Sequence, residues 1–171
     1  MIEVTDRSAI EPQARADAAS EAAITRLIQR AARFSDEQRY VEWMDLFTDD
    51  CRHALITREN HREQGLYNYV DKGRLALQER VAYLLGVWHT PRGKTTHVVS
   101  VLDIEPAVEG AGARVVSNFI IARAAPAEDS KLYASGQYID HVVCDGERWL
   151  IKERTAIIDS SFLPADFADL V

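Results

Sequence analysis

Phe34-Ser35-Asp36-Glu37-Gln38-Arg39-Tyr40-Val41-Glu42-Trp43-Met44-Asp45-Leu46-Phe47-Thr48-Asp49-Asp50-Cys51 carries the chain from helix into strand. Ser35 and Gln38 have the spacing of a capping box, in which each side chain satisfies a free backbone amide at a helix start. Tyr40, Trp43, Met44 and Phe47 fall at i, i+3, i+4 and i+7, which predicts one helical face. The Thr48-Asp49-Asp50 run ends that helix, and Cys51 to Thr57 reads as a strand. The helix thus lays a large aromatic face against whatever follows.

Upstream, Ile24, Leu27, Ile28, Ala31 and Phe34 predict an amphipathic helix started by Ser20. Residues 1–19, with Pro12, read as a loose arm, and 20–171 as a single domain. Downstream, a polar segment from Arg58 to Gly65 precedes Leu66 to Val70, and Leu77, Val81, Leu84, Leu85 and Trp88 form a third helical stripe. From Thr95 the pattern becomes β, in four runs: Thr95 to Ile104, Arg114 to Arg123, Leu132 to Cys144 and Arg148 to Ile158. Glu109-Gly110-Ala111-Gly112 joins the first two runs, and Asp145-Gly146, a strong hairpin signal, joins the last two. Gly136, inside a long strand, predicts a bulge that curves the sheet. Helices first and a meander afterwards argue an α+β fold, with a curved antiparallel sheet wrapped as a cone around N-terminal helices.

Composition narrows the function classes. A chain of 171 residues buries roughly 70 % of its unfolded surface, and 47 % hydrophobic content supports a core. Twenty-seven acidic residues against 20 basic ones give a net charge of −7, with no basic stripe, which argues against nucleic acid as a partner. The same surplus provides no general attraction for anionic aromatic molecules. The two cysteines, Cys51 and Cys144, form no C-x-x-C. No apolar run long enough for a membrane span or signal core is present, which predicts a soluble cytoplasmic protein with reduced thiols.

The opening stretch resembles the small (β) subunits of aromatic-ring-hydroxylating dioxygenases, whose pattern runs from a hydrophobic helix through Trp, Leu-Phe and an acidic pair into a strand. Asp71 to Val81 resembles the family's acidic, Leu, Arg-Val helix. Trp88-His89-Thr90-Pro91 followed by Thr96-His97-Val98-Val99-Ser100 resembles its Trp, Pro and Arg-His-x-x-Ser-Asn run. Gln137-Tyr138-Ile139-Asp140 through Trp149, Glu153-Arg154 and Asp159 resembles the closing hairpin. Thr96 and Val101 depart from that pattern, and Thr57-Arg58-Glu59-Asn60 looks like members that act on aromatic carboxylates. The resemblance covers roughly positions 22 to 165. It implies a cystatin-like or NTF2-like fold and a non-catalytic role in assembling catalytic large (α) subunits. It further implies a three-plus-three complex in which the small subunits trimerise. The Rieske [2Fe-2S] cluster and mononuclear iron would lie in the large subunit, and electrons would come from NADH through a separate reductase.

The residue inventory agrees with cofactors held elsewhere. A Rieske cluster takes two cysteines and two histidines, and mononuclear iron takes two histidines and a carboxylate. His53 stands two positions after Cys51, but Cys144 is followed by Asp145-Gly146-Glu147. His53, His61, His89, His97 and His141 show no H-x-x-H or H-x-x-x-H pair. No metal or cofactor is therefore expected on this chain, and no catalytic residue.

The rival reading is a free-standing cone-fold dehydratase or isomerase that uses Asp36 and His97 for proton transfer, which requires the two within hydrogen-bond reach. Against it, Asp36 in a first helical turn is favoured by the dipole, His97 fits a core histidine, and the next strand offers only Asn118. Tyr67 and Tyr69, with Trp43, could line an aromatic pocket or simply fill the core. His141 is read as half-buried, Glu153 and Arg154 beside Lys152 as a solvated or interfacial charge group, and Phe162, Leu163, Pro164 and Phe167 as a tail tucked on the domain or docked on a neighbour.

Overall fold

The structure is a computed structural model that describes residues 17–86, 93–107, 112–125, 127–146, 148–163 and 167. Helix α1 spans Ala18–Asp36, α2 Tyr40–Met44, β1 Phe47–Thr57, α3 Arg58–Arg62, β2 Tyr69–Lys72 and α4 Gly73–Gly86. Four long strands follow: β3 Lys94–Pro106, β4 Gly112–Ala124, β5 Lys131–Asp145 and β6 Arg148–Ile158. They build one six-stranded sheet in the order β2-β1-β6-β5-β4-β3. The sheet curves around α1 without closing, so β2 and β3 remain free edges. The four β runs read from the sequence are all present. The sheet is mixed at one join, because β1 returns beside β6 in parallel while every other pair is antiparallel.

The stretch at 34–51 folds differently from its expected pattern. Asp17, not Ser20, caps α1, its carboxylate accepting from the Ala19 and Ser20 amides at 3.0 and 2.9 Å. Ser35 is no cap: it is buried in the last turn of α1, and the 35–38 spacing marks a helix end. Arg39 N–H donates to the Phe34 carbonyl (2.8 Å) and Gln38 N–H to the Ser35 carbonyl (3.0 Å) around a left-handed Gln38 at φ 55°. This is the paired bond pattern of a Schellman stop, normally signalled by glycine. Glutamine in that position hides the signal, and Asp36 becomes the last residue of α1 rather than the first turn of the next helix.

The aromatic helix is accordingly one short turn. Phe47 and Thr48-Asp49-Asp50 already belong to β1, where the four residues between Phe47 and Arg52 stand against one, Lys152, between Ile151 and Glu153. Tyr40, Trp43, Met44 and Phe47 are nevertheless all buried. They join Ile24, Leu27, Ile28, Ala31 and Phe34 of α1 and Leu77, Val81 and Leu84 of α4 in the main core cluster. Leu85 faces outward, and Trp88, His89, Pro91, Pro164 and Glu109 to Ala111 lie outside the described residues. Thr57 caps α3 within the expected polar segment, its hydroxyl accepting from the Asn60 amide at 3.3 Å.

Gly136 makes no bulge. It pairs in step with Phe119 and Ile158, and the extra residues are Leu102, Tyr133 and Lys152. Its requirement is space: a Cβ there would meet the Ile157 carbonyl and the Phe119 ring well inside van der Waals contact. The missing side chain lets Phe119 stack on Tyr138 with ring centroids 4.3 Å apart.

Two substitutions check this account. Gln38→Gly relieves the left-handed strain and raises unfolding free energy by about 1–2 kcal/mol in urea titration. Gly136→Ala lowers it by about 1–3 kcal/mol through overpacking, with an unchanged urea slope.

Candidate functional site

The inner face of the sheet carries an unusual set of polar groups. Along β5 the inward positions are Ala134, Gly136, Tyr138, Asp140 and Val142, and along β6 they include Arg154, Ala156 and Ile158. Arg154 and Asp140 are essentially inaccessible, and their side chains form a two-pronged pair, Nε to Oδ1 at 2.7 Å and Nη2 to Oδ2 at 3.0 Å. The guanidinium also lies over the Tyr138 ring, 4.4 Å from its centroid. Burial pushes the Tyr138 hydroxyl well above its ordinary value. Burial opposes the Arg154 charge, but the Asp140 carboxylate outweighs it and raises the guanidinium further.

A second unit of the same composition sits at the sheet edge. Arg80 of α4 grips Asp71 of β2, with Nη2 to Oδ1 at 3.0 Å and a close second bond from Nε to Oδ2. The guanidinium lies 3.5 Å from the Tyr69 ring centroid. His53, fully buried on β1, places Nδ1 3.6 Å from Asp71 Oδ2 and packs among Trp43, Phe47 and Tyr69. Burial would raise the Asp71 carboxyl, yet His53 and Arg80 together hold it below the usual carboxylate range. The strand registers set Asp71 opposite His53, His53 opposite Arg154 and Arg154 opposite Asp140. Four neighbouring strands thus contribute one row in which two basic residues, His53 and Arg154, are flanked by two acidic ones, Asp71 and Asp140.

The third cluster joins the two residues singled out from sequence. His97 on β3 bonds Asp36 twice: its backbone N–H donates to Oδ2 at 2.8 Å, and Nδ1 stands 2.6 Å from Oδ1. Burial would raise the Asp36 carboxyl, but the His97 ring and amide bonds outweigh it and hold it low. An ionised carboxylate can only accept, so Nδ1 is the donor in this bond, and in the corresponding neutral tautomer Nε2 would be the acceptor. Nε2 is buried and has no hydrogen-bond partner among the described residues, and the same holds for the Ser117 hydroxyl and the Trp43 indole nitrogen. At the C-terminal end of α1, Asp36 faces the unfavourable pole of the helix dipole. The dipole therefore does not account for this carboxylate; its bonds to His97 do.

Other expectations are corrected. His141 is exposed on the outer sheet face, and Arg154 is core rather than solvated. Tyr67 is largely exposed under Arg52, whereas Tyr69 and Trp43 do meet around His53. Arg58 is held by Asp159 at 2.6 Å, and Thr57 serves as the α3 cap. Leu163 and Phe167 pack on the sheet, Phe167 stacking on Tyr133, while Phe162 is exposed. Among the described residues no group of three or more His, Cys, Asp or Glu could hold a metal ion, and no helix is long and apolar enough to cross a membrane.

Residues 30–165 match the family model of the ring hydroxylating beta subunit. The chain belongs to that family. Over 133 residues it is 23 % identical to the terephthalate 1,2-dioxygenase terminal oxygenase component subunit beta 2 of Comamonas sp, covering 76 % of this chain and 84 % of the relative. A crystal structure described as the beta subunit of an aromatic-ring-hydroxylating dioxygenase from Novosphingobium aromaticivorans superposes with a TM-score of 0.78 at 22 % identity, covering 88 % of this chain and 95 % of that one. The benzoate 1,2-dioxygenase beta subunit of Burkholderia mallei gives 0.67 at 15 % identity, covering 92 % and 99 %. The architecture of this β subunit is the cystatin-like fold.

Sequence reading missed the Asp140–Arg154 pair for a definable reason. Counting back from Asp145 opposite Arg148, an unbroken hairpin sets Asp140 against Glu153. The extra residue Lys152 shifts the register by one, so that Arg154 meets Asp140. An acidic residue alternating with Tyr138 and Val142 on an inward face was the available signal.

Arg154→Leu leaves Asp140 buried without its partner and lowers stability by about 3–5 kcal/mol, whereas Asp140→Leu combined with Arg154→Met recovers most of the loss; a double-mutant cycle in urea measures both. Asp36 stabilises the fold above its unfolded value of about 3.9, and this is lost as pH falls through its lower folded value. Asp36→Asn therefore flattens the acid-side fall of stability below about pH 4, read by urea titrations across pH.

Proposed function

We propose that this chain is the non-catalytic small subunit of a multicomponent ring-hydroxylating dioxygenase acting on an aromatic carboxylate. The family match over residues 30–165 carries the reading. In this reading the chain assembles and stabilises large subunits that hold the Rieske [2Fe-2S] cluster and the mononuclear iron, in a three-plus-three complex whose small subunits trimerise. NADH supplies electrons through a separate reductase. The relatives named for terephthalate and benzoate support the carboxylate class. The fate of the candidate ligands is in keeping with it: Cys51 and His53 lie in the core, where burial pushes the Cys51 thiol up and His53 faces Asp71. Tagged co-purification from the native cell, with native mass and a visible spectrum, is the test. The expected result is a brown heteromer whose colour stays with the large subunit; a colourless homo-oligomer overturns the reading. In the intact heteromer His97→Ala leaves hydroxylation within a small factor of wild type.

One observation favours a second reading. The Asp36–His97 pair, with an unpartnered buried Nε2, has the geometry of a general base. Under it the purified chain alone dehydrates or isomerises a small hydroxyl-bearing aromatic, and His97→Ala abolishes that turnover. A substrate screen on the isolated chain separates the two.

A further inference from the structure

Arginines in this β subunit are almost all accounted for within the chain. Eight of the thirteen described arginines stand in ion pairs, and Arg52 and Arg123 lie over tyrosine rings. The three that remain, Arg26, Arg30 and Arg148, line one notch between α1 and the start of β6. Arg26 and Arg30 are one turn apart on α1, a like-charge spacing that costs helix stability. The notch has a volume of about 210 Å³, and its floor is apolar: Leu27, Leu46 and Leu150, with Trp149 half-buried beside them. Its one acidic lining residue, Asp45, is already bonded to Arg74.

We infer that this notch is the docking site for an acidic segment of the large subunit, one carrying a bulky apolar side chain between carboxylates. The inference rests on the subunit reading above. Three guanidiniums in no ion pair among the described residues, on a chain of net charge −7, select an anionic partner. The Trp149 floor selects an apolar anchor, and arginine with tryptophan is the composition of binding hot spots. A segment fits better than a small molecule. The notch is open and runs into a second cleft of about 640 Å³ that shares Asp45, Arg148 and Leu150, making an elongated groove rather than an enclosing cavity. In that second cleft Asp49 and Asp145 stand with Arg148, and Arg74 is paired with Asp45, so the surplus of positive charge lies toward the α1 end, where the acidic residues of the partner seat.

The test mixes the separately purified large subunit, obtained from the co-purified heteromer, with wild type or with R26E/R30E/R148E, and titrates association at low and high salt. All three side chains are exposed, so the variant retains the wild-type melting curve and self-assembly mass. The expected result is at least tenfold weaker association at low salt, with a flatter salt dependence than wild type. Association within twofold of wild type, with the same salt dependence, overturns the docking site while leaving the subunit reading standing. A loss confined to self-assembly of the small chain assigns the notch to a second copy and overturns it equally. A wild-type chain that binds no large subunit overturns both.

Discussion

The row Asp71–His53–Arg154–Asp140 constrains everything around it. Buried charges are tolerated only when paired and hydrogen-bonded, so each of these residues demands a partner on the neighbouring strand. A one-residue slip anywhere would turn one of them to the outer face and leave another buried alone. The apolar residues of the same faces oppose a one-residue slip as well, but a two-residue slip would keep them inward. The charged row accepts one. It also spans the single parallel join, between β1 and β6, where no hairpin turn sets the alignment.

The two arginine–carboxylate–tyrosine units tie this row to the rest of the fold. Arg80 comes from α4, so the grip on Asp71 draws that helix onto the β2 edge. Arg154 and Tyr138 belong to the two central strands, and Phe119 reaches Tyr138 only because Gly136 leaves the space open. The Asp36–His97 pair performs the same service on the opposite side, fastening the end of α1 to the β3 edge. The interior of this β subunit is therefore a set of polar clamps embedded in an apolar core, and both free edges of the sheet are secured by a helix.

Inside and outside follow different logic. Interior arginines are matched to carboxylates within the chain, and their number satisfies the fold. The three arginines around the α1–β6 notch stand in no ion pair among the described residues and sit beside a floor of buried leucines and half-buried Trp149. Under the subunit role proposed above such a division is expected: rigidity is settled internally, and recognition is left on a face where charge and apolar contact coincide.

What sequence alone determined was the pattern of elements. The periodicities of α1 and the four long strands, and the Asp145-Gly146 turn, are local signals that depend on neighbours a few residues away. The aromatic set Tyr40, Trp43, Met44 and Phe47 was correctly read as core although its helix is a single turn, because burial follows composition even where geometry differs. Tertiary structure decided what depends on distant residues. The end of α1 was hidden because Gln38 adopts a left-handed conformation that glycine normally announces. The pairing of Asp140 with Arg154 depends on one extra residue, Lys152, whose position no local rule dictates. Asp36 and His97 are 61 residues apart, and their bond exists only because the curved sheet brings the β3 edge back to the end of α1. Local chemistry writes the elements; the register between strands, and with it the polar interior, is settled by which buried charges can be satisfied together.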